Sequence, residues 1–140
     1  MSVRPAKPED FETILRLYKA GLKELGLEYV ESLLVKKIVN SWHLAPCFLI
    51  EDYGMAGFTT VISSHDGKAR LADYMFYVEP EHRSIRTLGR LVEAAKDFAK
   101  EQDLPLRVEF LSQNDEQLKK RVLKMHGFEV VSISGEYNGR

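Results

Sequence analysis

The spacing of hydrophobic residues along this chain changes at Pro46, and that change limits the folds open to it. Before Pro46, apolar residues recur every three to four positions over residues 11–22 and 30–42, which predicts two amphipathic helices. After Pro46 come three strand-like runs separated by short turn sequences. The runs cover residues 47–51, 55–63 and 69–78. Three consecutive strands joined by tight turns predict an antiparallel meander.

Beyond Val78 the chain alternates between helical and strand-like segments. The predicted elements are a helix from about Thr87 to Gln102, a strand over 106–111, a helix after Asn114 and a strand from Phe128 to Ile133. With a short extended start at residues 3–6, the order is β-α-α-β-β-β-α-β-α-β. This order predicts a single α/β domain over residues 1–140, in which four helices cover a mixed sheet of about six strands.

Charge and composition narrow the classes of function. The 140 residues carry a formal net charge of −1, so no global field draws the chain to nucleic acid or to an anionic membrane. The longest apolar runs fall far short of the roughly 20 residues of a membrane span. No signal peptide is visible, and a cytoplasmic protein is therefore predicted. The four histidines lack the spacing of a zinc site, so no metal is expected, and the single cysteine, Cys47, is predicted to be buried.

Three segments line up with one known family in order and in spacing. The fourth strand ends in Tyr77-Val78-Glu79-Pro80-Glu81-His82-Arg83, an arginine-led turn before a helix. Asn114 opens a later helix that ends at Gly127-Phe128, and Val3-Arg4-Pro5-Ala6 precedes an acidic helix start. These features resemble the GNAT superfamily of acyl-CoA-dependent N-acyltransferases over essentially the whole chain. The resemblance implies a GNAT-like fold and the transfer of an acetyl or related acyl group from acyl-CoA to an amine.

The resemblance also implies where acetyl-CoA or another acyl-CoA binds. In the family, the strand before the arginine-led turn splays from its neighbour and holds the pantetheine arm through its backbone, here near Tyr77 and Val78. The pyrophosphate lies at the start of the next helix, where free N–H groups and the helix dipole favour an anion. The corresponding residues are Arg83, Ser84, Arg86 and Thr87, and Asn114 would lie near the far end of the cofactor. The acceptor would be a small-molecule or protein amine, and the fold allows a homodimer through an edge strand.

Glu79 is the candidate general base. Attack of an amine on a thioester requires a carboxylate or imidazole within reach of the amine, and Glu79 follows the fourth strand beside the cofactor loop. Strict alternation would place Asp73, Tyr77 and Glu79 on one face of that strand and Tyr74, Phe76 and Val78 on the other. The plainer alternative for Glu79, a solvated carboxylate at a strand end, stays open.

The cofactor loop departs from the family pattern at two positions. In Arg83-Ser84-Ile85-Arg86-Thr87-Leu88, Arg86 stands where the first glycine belongs and Leu88 where the second small residue belongs. Either Arg83, Arg86 and Arg90 hold the phosphates with side-chain cations, or the bulk of Arg86 and Leu88 fills the site. The second case describes a catalytically silent GNAT-fold module with a binding or structural role. Leu123 supports that case, because it stands where the family often carries the tyrosine that protonates the leaving thiolate.

Overall fold

A computed structural model describes residues 2–110 and 116–129 of the chain. Within them the elements are β1 (Val3–Pro5), α1 (Phe11–Glu24), α2 (Glu31–Trp42), β2 (Cys47–Ile50), β3 (Gly54–Ile62), β4 (Ala69–Val78), α3 (Ile85–Glu101), β5 (Leu106–Arg107) and α4 (Glu116–Met125). Short 3-10 turns at Pro8–Asp10 and Pro80–His82 lead into α1 and toward α3. The predicted order of helices and strands is therefore present in the part of the chain that is described.

The strands of the described residues form one sheet in the order β1-β2-β3-β4-β5. Neighbouring strands are antiparallel except β4 and β5, which run parallel. The predicted meander is thus confirmed, the parallel pair of β4 and β5 makes the sheet mixed as predicted, and β4 has the predicted bounds. The α/β fold class is confirmed as well, with five strands in the described residues instead of about six.

Two predicted strands differ from the structure. β5 is only Leu106–Arg107, because the amides of Glu109 and Phe110 bond to the side chain of Asp73 instead of continuing a ladder with β4. Phe110 also has a φ of 49°, which takes the backbone out of the extended conformation. The predicted last strand lies outside the described residues from position 130 onward, and residues 128 and 129 are in no strand.

β4 contains one residue more than the part of β3 that it faces. Gly57 pairs with Met75, whereas the next residue, Phe58, pairs with Asp73, so Tyr74 is the extra residue of a β-bulge. The Tyr74 ring lies over Gly57, where a Cβ atom would stand 2.4 Å from the ring carbon Cζ. Glycine at position 57 therefore leaves the space that the bulged tyrosine occupies.

The sheet separates two hydrophobic cores. On the face covered by α3 and α4, the fully buried residues include Ile50, Phe58, Leu71, Leu91 and Val122. On the face covered by α1 and α2, they include Ile14, Leu17, Ile38, Leu49 and Met55. Burying apolar surface on both faces is what holds helices of this kind on a sheet.

The bulge changes which residues of β4 share a face. Asp73 lies opposite Phe58, a residue of the α3-side core, whereas Tyr74 and Met75 both pack in the α1-side core with Tyr77 beside them. The expectation that Asp73 and Tyr77 share a face is therefore wrong. Alternation holds only within an uninterrupted strand, and the extra residue reverses it.

Two smaller predictions are confirmed. Cys47 is 5% exposed, and burial raises the pKa of its thiol to about 12. Gly127 follows α4 with a φ of 80°, the left-handed conformation that glycine adopts readily where a helix ends. Of the helices in the described residues, none is long and apolar enough to cross a membrane.

Candidate functional site

β4 and β5 separate after two paired residues. The parallel ladder joins Leu71 to Leu106 and Ala72 to Arg107, and no further pair follows among residues 2–110 and 116–129. On its other edge β4 stays paired with β3 as far as Val78. We use the name β4–β5 slot for the region between residues 73–78 and residues 108–110, in which the two segments form no strand pair.

The backbone groups of β4 that face the slot follow from the register. The N–H of Glu79 donates to the carbonyl of Tyr53 at 2.9 Å, and hydrogen-bonded pairs alternate along an antiparallel ladder. Tyr77 is therefore bonded to β3. The N–H and C=O groups of Phe76 and Val78 point away from β3, toward the slot.

Asp73 lies at the point where the two strands separate. Its carboxylate accepts the amide of Glu109 at 2.9 Å and the amide of Phe110 at 3.2 Å. The residue is 8% exposed, and burial raises the pKa of its carboxyl group to about 6, against the opposing effect of the two amides. The Phe110 ring packs edge-on against Phe76, with centroids 4.5 Å apart. Asp73 and Phe110 together form the closed end of the slot.

The N-terminus of α3 lies beyond the open end of β4. Ser84 caps this helix, because its hydroxyl accepts the amide of Thr87 at 3.0 Å and lies 2.9 Å from the Thr87 hydroxyl. The amides of Ile85 and Arg86 belong to the first helical turn, which has no intrahelical acceptor for them. Arg86 is exposed, whereas Leu88 is buried in the α3-side core. Two amides and one arginine are thus available to an anion at this helix start.

Gly89 serves the packing of α3 against α4. A Cβ atom at this position would stand 2.8 Å from Nε2 of His126, which follows α4. His126 also bonds through Nδ1 to Glu93 at 3.0 Å, and its carbonyl accepts Nζ of Lys96 at 2.9 Å. The glycine is therefore part of a helix–helix contact, one turn inside α3 from the cofactor loop.

Arg83 is directed toward the C-terminal end of α1. Its Nη2 lies 2.5 Å from a carboxylate oxygen of Glu24, and its Nε donates to the carbonyl of Val78 at 2.7 Å. The side chains of Arg83 and Glu24 are 12% and 17% exposed. The guanidinium also lies 5.4 Å from the centre of the Tyr77 ring, whose pKa is raised by burial. The arginine that matches the family motif thus connects the cofactor loop to the opposite face of the sheet.

Glu79 is part of a charged group at the end of β4. Its carboxylate pairs with Nη1 of Arg16 at 3.0 Å, and Arg16 also donates to the carbonyl of Asp52. The ligand atoms of Glu79, Glu81 and His82 lie within 4.8 Å of one another, and the latter two residues are exposed. Exposed acidic groups of this kind are common without a metal, and we assign none here.

Two further positions carry predictions made from the sequence: Asn114, predicted to lie near the far end of the cofactor, and Leu123, at the position of the family's proton-donating tyrosine. Asn114 lies outside the described residues. Leu123 packs against the α3-side core from α4 and carries no proton to donate. The structure thus brings Tyr77, Val78, Arg83, Ser84, Arg86 and Thr87 together around the end of β4 and the start of α3.

Sequence reasoning placed Asp73 on the fourth strand without its role as an acceptor of the two amides, and it did not single out Glu24. Asp73 had a visible signal, since it is one acid inside the apolar run Leu71-Ala72-Asp73-Tyr74-Met75-Phe76. A lone acid in such a run is rarely buried without specific partners. Glu24 had no signal, because it is separated from Arg83 by 59 positions and looks like any exposed acid of an amphipathic helix.

Comparison with known proteins supports the fold. No protein-family model matches the chain, and no curated protein sequence matches it. Solved structures do match. A predicted acetyltransferase from Clostridium acetobutylicum, solved with acetyl-CoA, has a TM-score of 0.75 at 18% identity, over 98% of this chain and 95% of that one.

Two other structures agree. The aminoglycoside 6'-N-acetyltransferase AAC(6')-Ig from Acinetobacter haemolyticus has a TM-score of 0.71 at 15% identity, covering 100% of this chain and 99% of that one. A GNAT family acetyltransferase from Staphylococcus aureus has a TM-score of 0.60 at 18% identity, covering 100% and 99%. The chain therefore has the fold of the GNAT acetyltransferases, and the resemblance found in its sequence is confirmed at that level.

Proposed function

We propose that the chain is a GNAT-type N-acyltransferase that moves an acetyl or related acyl group from acyl-CoA to an amine. The observation that carries the proposal is the β4–β5 slot. Within residues 2–110 and 116–129, the backbone edge of β4 at Phe76 and Val78 has no strand partner, and it leads to the capped start of α3. A strand edge followed by a helix N-terminus suits a ligand that has an amide-bearing arm and a phosphate end.

The residues around the slot fit the two ends of acyl-CoA. The pantetheine arm contains amide groups, which can pair with the strand edge at Phe76 as an added strand does, while the Val78 carbonyl already accepts a hydrogen bond from Arg83. The pyrophosphate would lie at the first turn of α3, where the amides of Ile85 and Arg86 and the guanidinium of Arg86 offer donors. Ser84 and Thr87 shape this turn through the cap. The fit is supported by the Clostridium acetobutylicum relative in fold, which was solved with acetyl-CoA.

The proposed chemistry is direct transfer. The amine nitrogen bonds to the thioester carbon, the carbon–sulfur bond breaks, and a base takes the proton of the amine. Glu79 is the proposed base, with Arg16 holding its carboxylate at the end of β4. Because Leu123 cannot donate a proton, CoA leaves as the thiolate and takes its proton from water. A cytoplasmic location, and an acceptor that is a small-molecule or protein amine, belong to the same proposal.

Thermal melting with millimolar acetyl-CoA tests the proposal, followed by titration calorimetry. A ligand at about 100 times its Kd stabilises the folded state by about 2.7 kcal/mol, an easily measured shift for a domain of this size. We expect Arg86→Ala to reduce the shift strongly. Lys36→Ala, which removes an exposed cation from α2, is the matched control and should leave the shift unchanged. An unchanged melting temperature with acetyl-CoA, CoA and longer acyl-CoAs would refute the proposed acyltransferase activity.

A catalytically silent GNAT-fold module is the second candidate. It is favoured by the engagement of Arg83 with Glu24 and Val78, which occupies the loop arginine that matches the family. Exposed apolar side chains near the start of α2 also suit a binding role, and they are Leu27, Tyr29, Val30 and Leu33. Light scattering of the purified chain, read together with the acetyl-CoA melt, separates the two candidates. A stable oligomer without any acyl-CoA response would favour the module.

A further inference from the structure

Where the ladder between β4 and β5 ends, the side chain of Asp73 replaces the backbone of β4 as the hydrogen-bond acceptor for the neighbouring segment. Leu71 and Ala72 still pair with β5 through main-chain groups. At the next position the side chain of Asp73 meets the partner segment, and its two oxygens receive consecutive amides, those of Glu109 and Phe110. A carboxylate is longer than a backbone carbonyl, so bonding through it holds the two segments farther apart than a ladder would.

The segment bonded to Asp73, residues 109–110, has a backbone conformation that is unfavourable without stabilising contacts. Phe110 has a φ of 49°, which few residues with a β-carbon adopt. Its ring is buried against Phe76, at the closed end of the slot. The bond from its amide to Asp73 is one of the contacts that keep this conformation, and the position of the ring depends on it.

The surroundings of Asp73 contain little opposite charge. From β3 it faces Phe58, and the buried face of α3 is made of uncharged residues such as Leu91 and Ala95. From the segment after β5, the charge of Glu109 opposes ionisation of Asp73, and Glu109 in turn pairs with Arg107 of β5 at 3.4 Å. From α4, Nζ of Lys119 donates to the carbonyl of Phe110 at 3.4 Å. α1 covers the other face of the sheet.

We propose that Asp73 is a positioning residue whose ionised carboxylate sets the width of the β4–β5 slot, and that protonation of Asp73 releases the 109–110 segment. The ionised group accepts both amides. A protonated carboxyl has one hydroxyl oxygen that acts as a donor, so only one amide keeps a good acceptor. The pKa of about 6 places this change just below neutral pH. The assignment rests on the proposed function only in naming acyl-CoA as the occupant of the slot.

The first test needs no ligand. Amide NMR shifts of Glu109 and Phe110 are followed from about pH 4.5 to about pH 8, together with the 13C shift of the Asp73 carboxyl carbon. We expect all three signals to titrate with a shared midpoint. Hydrogen exchange of the two amides, corrected for its intrinsic pH dependence, should accelerate roughly 10-fold below that midpoint, as expected for the loss of one charge-assisted hydrogen bond. Asp97→Asn, which neutralises an exposed acid of α3, should behave as wild type. In Asp73→Asn the amide titration should vanish.

Two results would overturn the assignment of Asp73. The first is that the amide shifts of Glu109 and Phe110 do not titrate with the Asp73 carboxyl carbon in the wild type. This measurement does not depend on whether a variant folds. The other is an amide titration that persists unchanged in folded Asp73→Asn.

The second test separates this proposal from the proposed function. The Kd for acetyl-CoA is measured above and below the midpoint in wild type, Asp97→Asn and Asp73→Asn, so that titration of the ligand's own phosphate cancels in the comparison. We expect the wild type to lose about 10-fold more affinity on acidification than Asp73→Asn does. Equal losses would overturn the link between Asp73 and the slot. Absence of binding in every sample would refute the proposed function, while the NMR titration still decides the role of Asp73.

Discussion

The ion pair between Arg83 and Glu24 provides a prediction whose size follows from the structure. Arg83 bonds to Glu24 at 2.5 Å and to the Val78 carbonyl at 2.7 Å, and both side chains of the pair are mostly buried. Replacing Arg83 with methionine keeps much of the packing but leaves the Glu24 carboxylate and the carbonyl without this donor. A hydrogen bond to a charged group contributes about 1.5–3 kcal/mol net. Allowing for the remaining exposure, Arg83→Met should cost about 2–3 kcal/mol.

A double-mutant cycle isolates the pair. Glu24→Gln should cost about 1–2 kcal/mol, and the double variant should cost less than the sum of the two, with a coupling energy of about 1–2 kcal/mol. The assay is urea unfolding followed by circular dichroism at pH 7, where a constant slope against urea shows that only stability has changed.

Arg86→Met is the matched control for this cycle. It removes another arginine three positions along the same loop, but one that is exposed. Its effect should stay within about 0.5 kcal/mol. The reasoning fails if Arg83→Met is equally mild, or if the costs of Arg83→Met and Glu24→Gln simply add. A mild Arg83→Met that also abolishes binding of acetyl-CoA would show that Arg83 is a ligand of the phosphates.

Two further predictions concern β4. Gly57→Ala should cost about 1–3 kcal/mol, because the new methyl group meets the Tyr74 ring at 2.4 Å, and the cost should shrink in a Tyr74→Leu background; equal costs in urea unfolding of the two backgrounds would contradict the clash. The free energy of unfolding should fall as pH rises from about 4 to about 6, by up to about 3 kcal/mol, because the pKa of Asp73 is raised from 3.8 to about 6 and folding therefore favours its protonated form. Asp73→Asn should lack this decline relative to wild type, and parallel curves for the two proteins would show that Asp73 does not titrate in this range.

Much of the fold is predictable from the sequence because it depends on local pattern. The period of the apolar residues places α1, α2 and α3, and the glycine-bearing turns place the meander, with β4 at its predicted bounds. Gly127 marks the end of α4 for a purely conformational reason. These features need only the residues within one or two turns of the chain.

The site is less predictable, because its important contacts join distant residues. The Arg83–Glu24 pair spans 59 positions, and the role of Asp73 depends on amides 36 and 37 positions away. The bulge at Tyr74 has no sequence signature that alternation detects, so the faces of β4 were predicted wrongly for Asp73. The role of Glu79 as a base, and the roles of the residues at the start of α3 in binding phosphate, remain predictions. Asn114 falls outside the described residues.

The extra residue at Tyr74 has a consequence for how this chain can change over evolutionary time. Deleting Tyr74 would restore regular pairing and leave Met75, Phe76, Tyr77 and Val78 on their present faces, because Tyr74 and Met75 already share a face of the sheet. The loss would be confined to the Tyr74 ring, which lies over Gly57 in the α1-side core. A larger residue at position 57 could then occupy the space that the ring leaves. Descendants of this sequence can therefore lose the bulge in one step and restore the packing in a second, without exchanging the side chains of residues 75–78.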